Sequence, residues 1–347
     1  LWNFSTMVCS KQFAMVLRRL VAMKAPKVLI ACILMVSWLD NFDFKNQYDI
    51  VDFFAGAGRL ARGGRMVGHN SVALDIEYHP NSKVFDINTE AGFALCICAL
   101  LHGKFGELFA SFGVCCSSWI ICSRGSSGRH FLCPMGNTAY TKVANANLMV
   151  SRVCLLLLLV HCLGGVFVLE QPGSSLLPRH DRFLWLVHKW ANLGIKVFYQ
   201  RFFMKFWGHI TAKPTFVLSN SPEIVALDHG PLKRKQLQSD IQTTDKYEAA
   251  DGTRRFKGNQ NLKGTQLYPW PYIQKLLEMA SNKSAGSNPV VLPEVDSSVP
   301  LTELFAAMPW GDFWNDADMV SVVRYLRGSK KLRIPPEWRE VLLKGLV

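Results

Sequence analysis

Between residues 47 and 202, short apolar runs bounded by glycine, proline or acidic residues alternate with stretches of helical period. A continuous apolar run marks a strand buried on both faces, as in a parallel sheet covered by helices. Residues 47–55 (QYDIVDFFA) read as such a strand, running into a glycine-rich turn, and residues 59–67 read as a helix. Residues 71–76 (SVALDI) read as a second strand with an acid near its end, and 84–87 as a short third strand. A helix over 91–101, a fourth strand over 108–114 and a long helix over 140–161 follow. Residues 166–170 form a fifth strand closed by Gln171-Pro172-Gly173, then a helix over 183–193 and a strand over 196–202. This alternation predicts an α/β fold: a Rossmann-like, mostly parallel sheet with helices on both faces.

The flanks read differently. Residues 1–45 are basic and apolar by turns and are expected to be an N-terminal extension. The chain starts at Leu1 rather than Met, so that extension is expected to be truncated. The apolar run over 28–36 is too short to cross a bilayer. The longer run over 154–169 contains His161 and the Gly164-Gly165 break, which fits a buried helix turning into a buried strand, so no membrane partner is expected. From residue 219 the pattern weakens, although 268–280 still reads as a helix. Residues 281–300, rich in Ser, Asn, Pro and Gly, read as a linker, and 301–347 as a small helical appendage. The expected organisation is therefore an extension (1–45), one α/β domain (46–280), a linker and the appendage.

Of 347 residues, 49% are hydrophobic and 19% charged, enough apolar surface for a core and too little charge for a disordered chain. Lys plus Arg exceed Asp plus Glu by 39 − 26 = 13. Such a balance fits a polyanionic partner or a surface kept basic for solubility. Lys233-Arg234-Lys235 and Arg254-Arg255-Phe256-Lys257 concentrate the charge in polar sequence, as phosphate contacts or as solvated loops, and Phe256, Trp207 and Trp270 are expected either to stack on bases or to belong to the core. Ten cysteines include Cys32, Cys96, Cys98, Cys154 and Cys162 inside apolar runs, with no zinc-type pair spacing and no secretory signal before them. Reduced thiols in an intracellular setting, the nucleus included, are the expectation, and no metal site is expected.

Chemistry concentrates where strands end. Gly56 and Gly58 follow the first strand directly, and Ala61 completes G-x-G-x-x-A. Glycines permit a tight turn and close ligand approach, while a helix N-terminus offers free N–H groups. Asp75 lies 19 residues after Gly56, where a carboxylate can accept both ribose hydroxyls of a nucleoside. Asp86, after the third strand, can accept from an adenine amino group or cap a loop. The turn suits either a dinucleotide or S-adenosylmethionine; Asp52 just upstream bears on the room for a zwitterionic amino acid.

Cys115-Cys116 sit where the fourth strand meets its loop, the end at which open α/β sheets bind ligands. A thiol there acts as a nucleophile if cations lower its pKa, and Arg124 and Arg129 lie in the loop that follows. Pro172 and Gly173 turn the chain out of the sheet and fix Glu170 at the same rim, as an acid or as the partner of a loop arginine. A thiolate adding to C6 of a pyrimidine while a carboxyl protonates N3 would let C5 attack a methyl sulfonium. A duplex base must first leave the stack, and residues 117–137 read as a closing loop.

The order F-A-G-A-G, an acid at the second strand, Cys at the fourth and E-x-P at the fifth resembles the DNA cytosine-5 methyltransferase family over roughly residues 48–220. The resemblance implies that Phe53, Gly56, Gly58, Asp75 and Asp86 bind S-adenosylmethionine, that Cys116 is the nucleophile and Glu170 the acid. It implies DNA, or RNA, as the partner. Cys115 stands where the family has Pro, Gln171 where it has Asn and Arg59 where Gly is common, and the later Q-x-R-x-R is not matched. Phe206-Trp207-Gly208-His209 and Lys213-Pro214-Thr215 resemble diverged, phage-like members, and Gly264-Thr265-Gln266 with the helix after it resembles a closing element over the cofactor. The alternative expectation is a catalytically silent methyltransferase fold that binds nucleic acid or cofactor without turnover.

Overall fold

The computed structural model describes residues 4–40, 42–45, 47–237, 241–284, 290–314 and 317–343, with backbone alone at 4–10, 255–256, 284, 312, 317–318 and 343. Two helices, α1 (Phe4–Ala22) and α2 (Lys27–Ser37), precede strand β1 (Ile50–Phe53). Helix α3 (Arg59–Met66), β2 (Ser71–Leu74), α4 (Glu90–Leu101) and β3 (Phe109–Phe112) follow. A single turn α5 (Arg124–Ser127) and the long α6 (Thr141–Cys162) lead to β4 (Val166–Pro172), α7 (Asp181–Asn192), β5 (Phe198–Phe203) and β6 (Pro214–Ser219). Then come α8 (Arg234–Leu237), β7 (Thr244–Glu248), β8 (Arg254–Gly258), α9 (Gln260–Gly264) and α10 (Trp270–Ser284). The chain closes with α11 (Leu301–Ala307), α12 (Ala317–Arg327) and α13 (Pro336–Leu343).

Among the described residues, six strands form the central sheet in the order β2-β1-β3-β4-β6-β5. Strands β2, β1, β3 and β4 run parallel, and β6 is antiparallel to both β4 and β5. Strands β7 and β8 make a separate antiparallel hairpin. The sheet is α/β and mostly parallel, as the apolar runs lead one to expect. Side chains alternate across it. Val51, Phe53, Phe112, Phe167 and Leu169 belong to one core, with residues of α4, α6 and α7. Ile50, Phe109, Val166 and Val168 belong to the other, with Leu60 of α3 and Ile273 and Leu276 of α10. By the same period of two, Asp52, Ser111 and Glu170 point to the side of α3 and α10, so the sheet's polar residues share one face.

Three expectations need correction. Residues 84–87 are not a strand: Lys83–Phe85 is a 3₁₀ turn. The Ser82 hydroxyl accepts from the Val84 N–H and the Asp86 carboxylate from the Asn88 N–H, local bonds that compete with a sheet ladder. A strand that the pattern did not announce, β6, is inserted between β4 and β5. The ends of the chain are also more deeply built in than an extension and an appendage. All residues from Lys27 to Val36 are buried, α2 packs on α4 and α12, and α1 packs on α6 and α11. Met319, Val322, Val323 and Leu326 of α12 join that same core. The 281–300 segment falls partly outside the described residues. Helix α6 is long and apolar enough to cross a membrane, and it lies buried against α1, α4, α7 and β4.

Candidate functional site

The turn after β1 uses three left-handed backbone positions: Phe54 (φ 56°), Gly56 (φ 51°) and Gly58 (φ 62°). Glycine takes this conformation without penalty; Phe54 does not, and backbone held this way collects at functional sites. A side chain at Gly56 would meet nothing within 4 Å, whereas one at Gly58 would meet the Tyr78 hydroxyl at 2.9 Å. Asp75 Oδ2 accepts from the Gly56 N–H at 2.8 Å and Oδ1 from the Glu77 N–H at 2.8 Å. The structure therefore joins Gly56, Gly58 and Asp75 in one place, with open space at Gly56. Asp52 lies buried beneath them, bonded to the Ala61 N–H and the Ser111 hydroxyl; burial pushes it up to about 7, and the charge of Asp75 adds to the rise. The Phe53 ring is in the core instead, stacked on Phe112 at 4.7 Å, so Phe54 rather than Phe53 borders the turn. Asp86 is engaged locally: its carboxylate accepts from Asn88 and its carbonyl from the Thr89 hydroxyl.

The cysteine loop and the end of β4 are clamped together. Gln171, fully buried, donates to the Val114 carbonyl at 2.5 Å and accepts from the Ser175 hydroxyl at 2.9 Å. One residue earlier, Glu170 Oε2 accepts from the Tyr268 hydroxyl at 2.8 Å, and Lys213 Nζ stands 3.9 Å from Oε1. Glu170 Oε1 is buried and lacks a hydrogen bond. The half-buried Cys116 senses this carboxylate. Burial pushes its thiol up to about 11, Glu170 and then Cys115 add to the rise, and Lys213 opposes it. Cys115 is exposed, its sulfur 3.4 Å from the Ser117 hydroxyl. None of the nine cysteines with described side chains forms a disulfide.

The cation near the thiol is therefore Lys213, not a loop arginine. Arg129 is buried, lies 3.5 Å over the Trp119 ring, and donates to the Ser118 hydroxyl and the Pro134 carbonyl. It organises the 117–137 loop from below, and burial lowers its pKa to about 10. Tyr268 and Lys213 were not singled out from sequence. Lys213 stands in the quoted Lys213-Pro214-Thr215 and, like Phe54, takes a positive φ of 34°. Tyr268 opens the segment expected to cover the cofactor, and Arg59 donates to its carbonyl at 2.6 Å. His209 donates from Nε2 to the Thr265 carbonyl and accepts at Nδ1 from the Thr211 N–H, tying the Lys213 loop to this same segment.

Lys233, Arg234, Lys235, Arg254 and Lys257 are exposed, while the side chains of Arg255 and Phe256 lie outside the described residues. Trp207 donates to the Leu227 carbonyl and packs on His229, so it is a packing residue rather than a stacking platform. Trp270 is 42% exposed. No group of three or more His, Cys, Asp or Glu placed to hold a metal occurs among the described residues. Comparison with protein-family models, with curated proteins and with solved structures finds no match to this chain. The arrangement itself offers a glycine turn with open space at Gly56 and a carboxylate bonded beside it. A thiol, a carboxylate, an ammonium and a phenol stand at the neighbouring strand ends.

Proposed function

We propose that this chain is an S-adenosylmethionine-dependent methyltransferase of the DNA cytosine-5 type, methylating cytosine in DNA. The observation that carries the reading is one of placement: Cys116 lies in the loop just past β3 and Glu170 on the adjacent parallel strand β4, near enough for the carboxylate to raise the thiol pKa. S-adenosylmethionine fits the residues present. Gly56 is open outward, and Asp75 is fixed beside it with lone pairs left for ribose hydroxyls. When bound, that cofactor supplies an electrophilic methyl group. A dinucleotide fits less well, because a sheet of two βαβαβ halves would be parallel throughout, and here β6 runs antiparallel.

This chain's own residues divide the work on the base. Cys116, as thiolate, adds to C6 of an extruded cytosine, and Glu170 donates a proton to N3, leaving C5 nucleophilic. The two steps help each other. Each charge at Glu170 raises the thiol pKa, so by reciprocity a protonated Glu170 favours the thiolate. Lys213 acts in the same direction. Tyr268 holds one carboxylate oxygen, while the other, Oε1, has Lys213 Nζ at 3.9 Å and no hydrogen bond among the described residues.

A specific observation favours the second reading, a silent methyltransferase fold: a thiol near 11 is protonated at neutral pH. DNA carrying 5-fluorocytosine separates the two. Incubated with the protein and S-adenosylmethionine, it should give a covalent adduct that maps to Cys116 and is lost in Cys116→Ser. Cofactor binding without adduct or methyl transfer to DNA or RNA decides for the silent fold.

A further inference from the structure

Helices α3 and α10 lie side by side, and both begin at the rim that carries the glycine turn. Arg59 and Arg62 of α3 stand over the ring of Trp270, with guanidinium carbons 5.7 and 5.2 Å from its centre. Arg59 is half-buried and spends one donor on the Tyr268 carbonyl at 2.6 Å. Arg62 is exposed, as is Arg65 one turn further, which donates to the Ser71 carbonyl. Among the described residues none of the three arginines forms an ion pair with a carboxylate. Trp270 is itself wedged against α3, where a side chain on Gly63 would meet it at 3.4 Å. Its ring is therefore a fixed shelf for guanidinium groups and not a free stacking face.

Two guanidinium groups gathered on one indole repel each other unless an anion comes between them. The planar fork of arginine matches phosphate oxygens bidentately and stacks on aromatic rings, so an Arg–Trp–Arg cluster without carboxylates is preorganised for phosphate. The exposed Lys233, Arg234, Lys235, Arg254 and Lys257 precede α10 in the chain, at and just before α8 and on the β7–β8 hairpin. Through α9 that hairpin leads to Thr265, which meets His209, and to Tyr268.

We propose that Arg59 and Arg62, held by Trp270, form a clamp for the phosphate backbone of DNA beside the glycine turn. This rests on the proposed action on DNA and adds where the strand lies. The footprint covers the α3–α10 side of the rim, so the backbone passes over the start of both helices while the base enters between Cys116 and Glu170.

The test is equilibrium binding of a fluorescein-labelled duplex to the full-length chain over a series of salt concentrations. Arg62 is exposed, so Arg62→Ala leaves the fold intact. It should weaken binding about three- to tenfold at near-physiological salt and reduce the slope of log affinity against log salt by about one. Trp270→Leu, which frees both guanidinium groups, should weaken binding in the same sense. Arg324→Ala, an exposed arginine on α12, should match wild type. Wild-type affinity and slope in both Arg62→Ala and Trp270→Leu, with DNA still bound, overturn the clamp and leave the methyltransferase reading standing. An equal loss in Arg324→Ala also overturns it, since net charge would then suffice. Absence of DNA binding by the wild type at every salt concentration overturns the clamp and the DNA reading together.

Discussion

The proposed chemistry turns on three side chains whose charges are not independent. Cys116, the proposed nucleophile, has the resting state of an inert thiol, because burial and the carboxylate of Glu170 both oppose ionisation. At a pKa near 11, about one thiol in a thousand is ionised at pH 8. Thiolate is the reactive form, so alkylation reports its population. Glu170→Gln removes the negative charge while keeping an acceptor for Tyr268. The thiol pKa should fall, and iodoacetamide should modify Cys116 faster by about tenfold at pH 8. Lys213→Met removes the opposing cation and should slow modification. Peptide mass spectrometry of Cys116 against exposed Cys133 measures both. Equal rates in all three proteins would mean that the carboxyl does not govern the sulfur.

At the level of elements, the sequence carried the four parallel strands, the glycine turn and the rim, because runs such as IVDF and VFVLE are buried throughout and apolar except at Asp52 and Glu170. It did not carry β6, which begins at a proline and owes its place to pairing with β4 and β5 rather than to any local pattern. Nor did it carry the third strand's loss, decided by hydrogen bonds of Ser82 and Asp86 to the next turn. Tyr268 and Lys213 escaped for a related reason: 98 residues separate Tyr268 from Glu170, and only folding brings the hydroxyl to the carboxylate. Gly56 and Asp75 were readable because their contact is set by one βαβ unit. That unit also fixes how closely α3 approaches the sheet. A methyl group at Gly64 would strike the Ser71 hydroxyl and the Ile50 side chain at 2.9 Å. Gly64→Ala should therefore cost about 1–3 kcal/mol in urea unfolding despite the better helix propensity of alanine. Gly264→Ala on α9, with open space around it, should cost nothing. A neutral Gly64→Ala would show that α3 sits further from β2 than described.

Over the whole molecule, the helices before residue 45 and after residue 300 make a further layer on the α4–α6 face. Leu39 bridges to Leu332, the Trp38 carbonyl accepts from the Arg333 N–H at 2.9 Å, and Arg333 pairs with Asp40 at 2.9 Å. Lys27, buried at the start of α2, donates to the Met308 carbonyl at 2.8 Å and lies over the rings of Phe305 and Trp310. An appendage joined by a linker would melt by itself and leave the sheet's stability unchanged. A shared core couples the two instead. Met319 is fully buried in the cluster that also holds α2 and the β1 and β4 side chains. Met319→Ala removes packing at a site far from the rim, and the loss should be about 2–5 kcal/mol. The coupling predicts that this loss appears equally in the exchange protection of amides in β1 and β4 and in the global circular dichroism transition, as one cooperative unit requires. Unchanged protection in β1 and β4 alongside an earlier, separate transition would return residues 301–347 to the status of an independent unit.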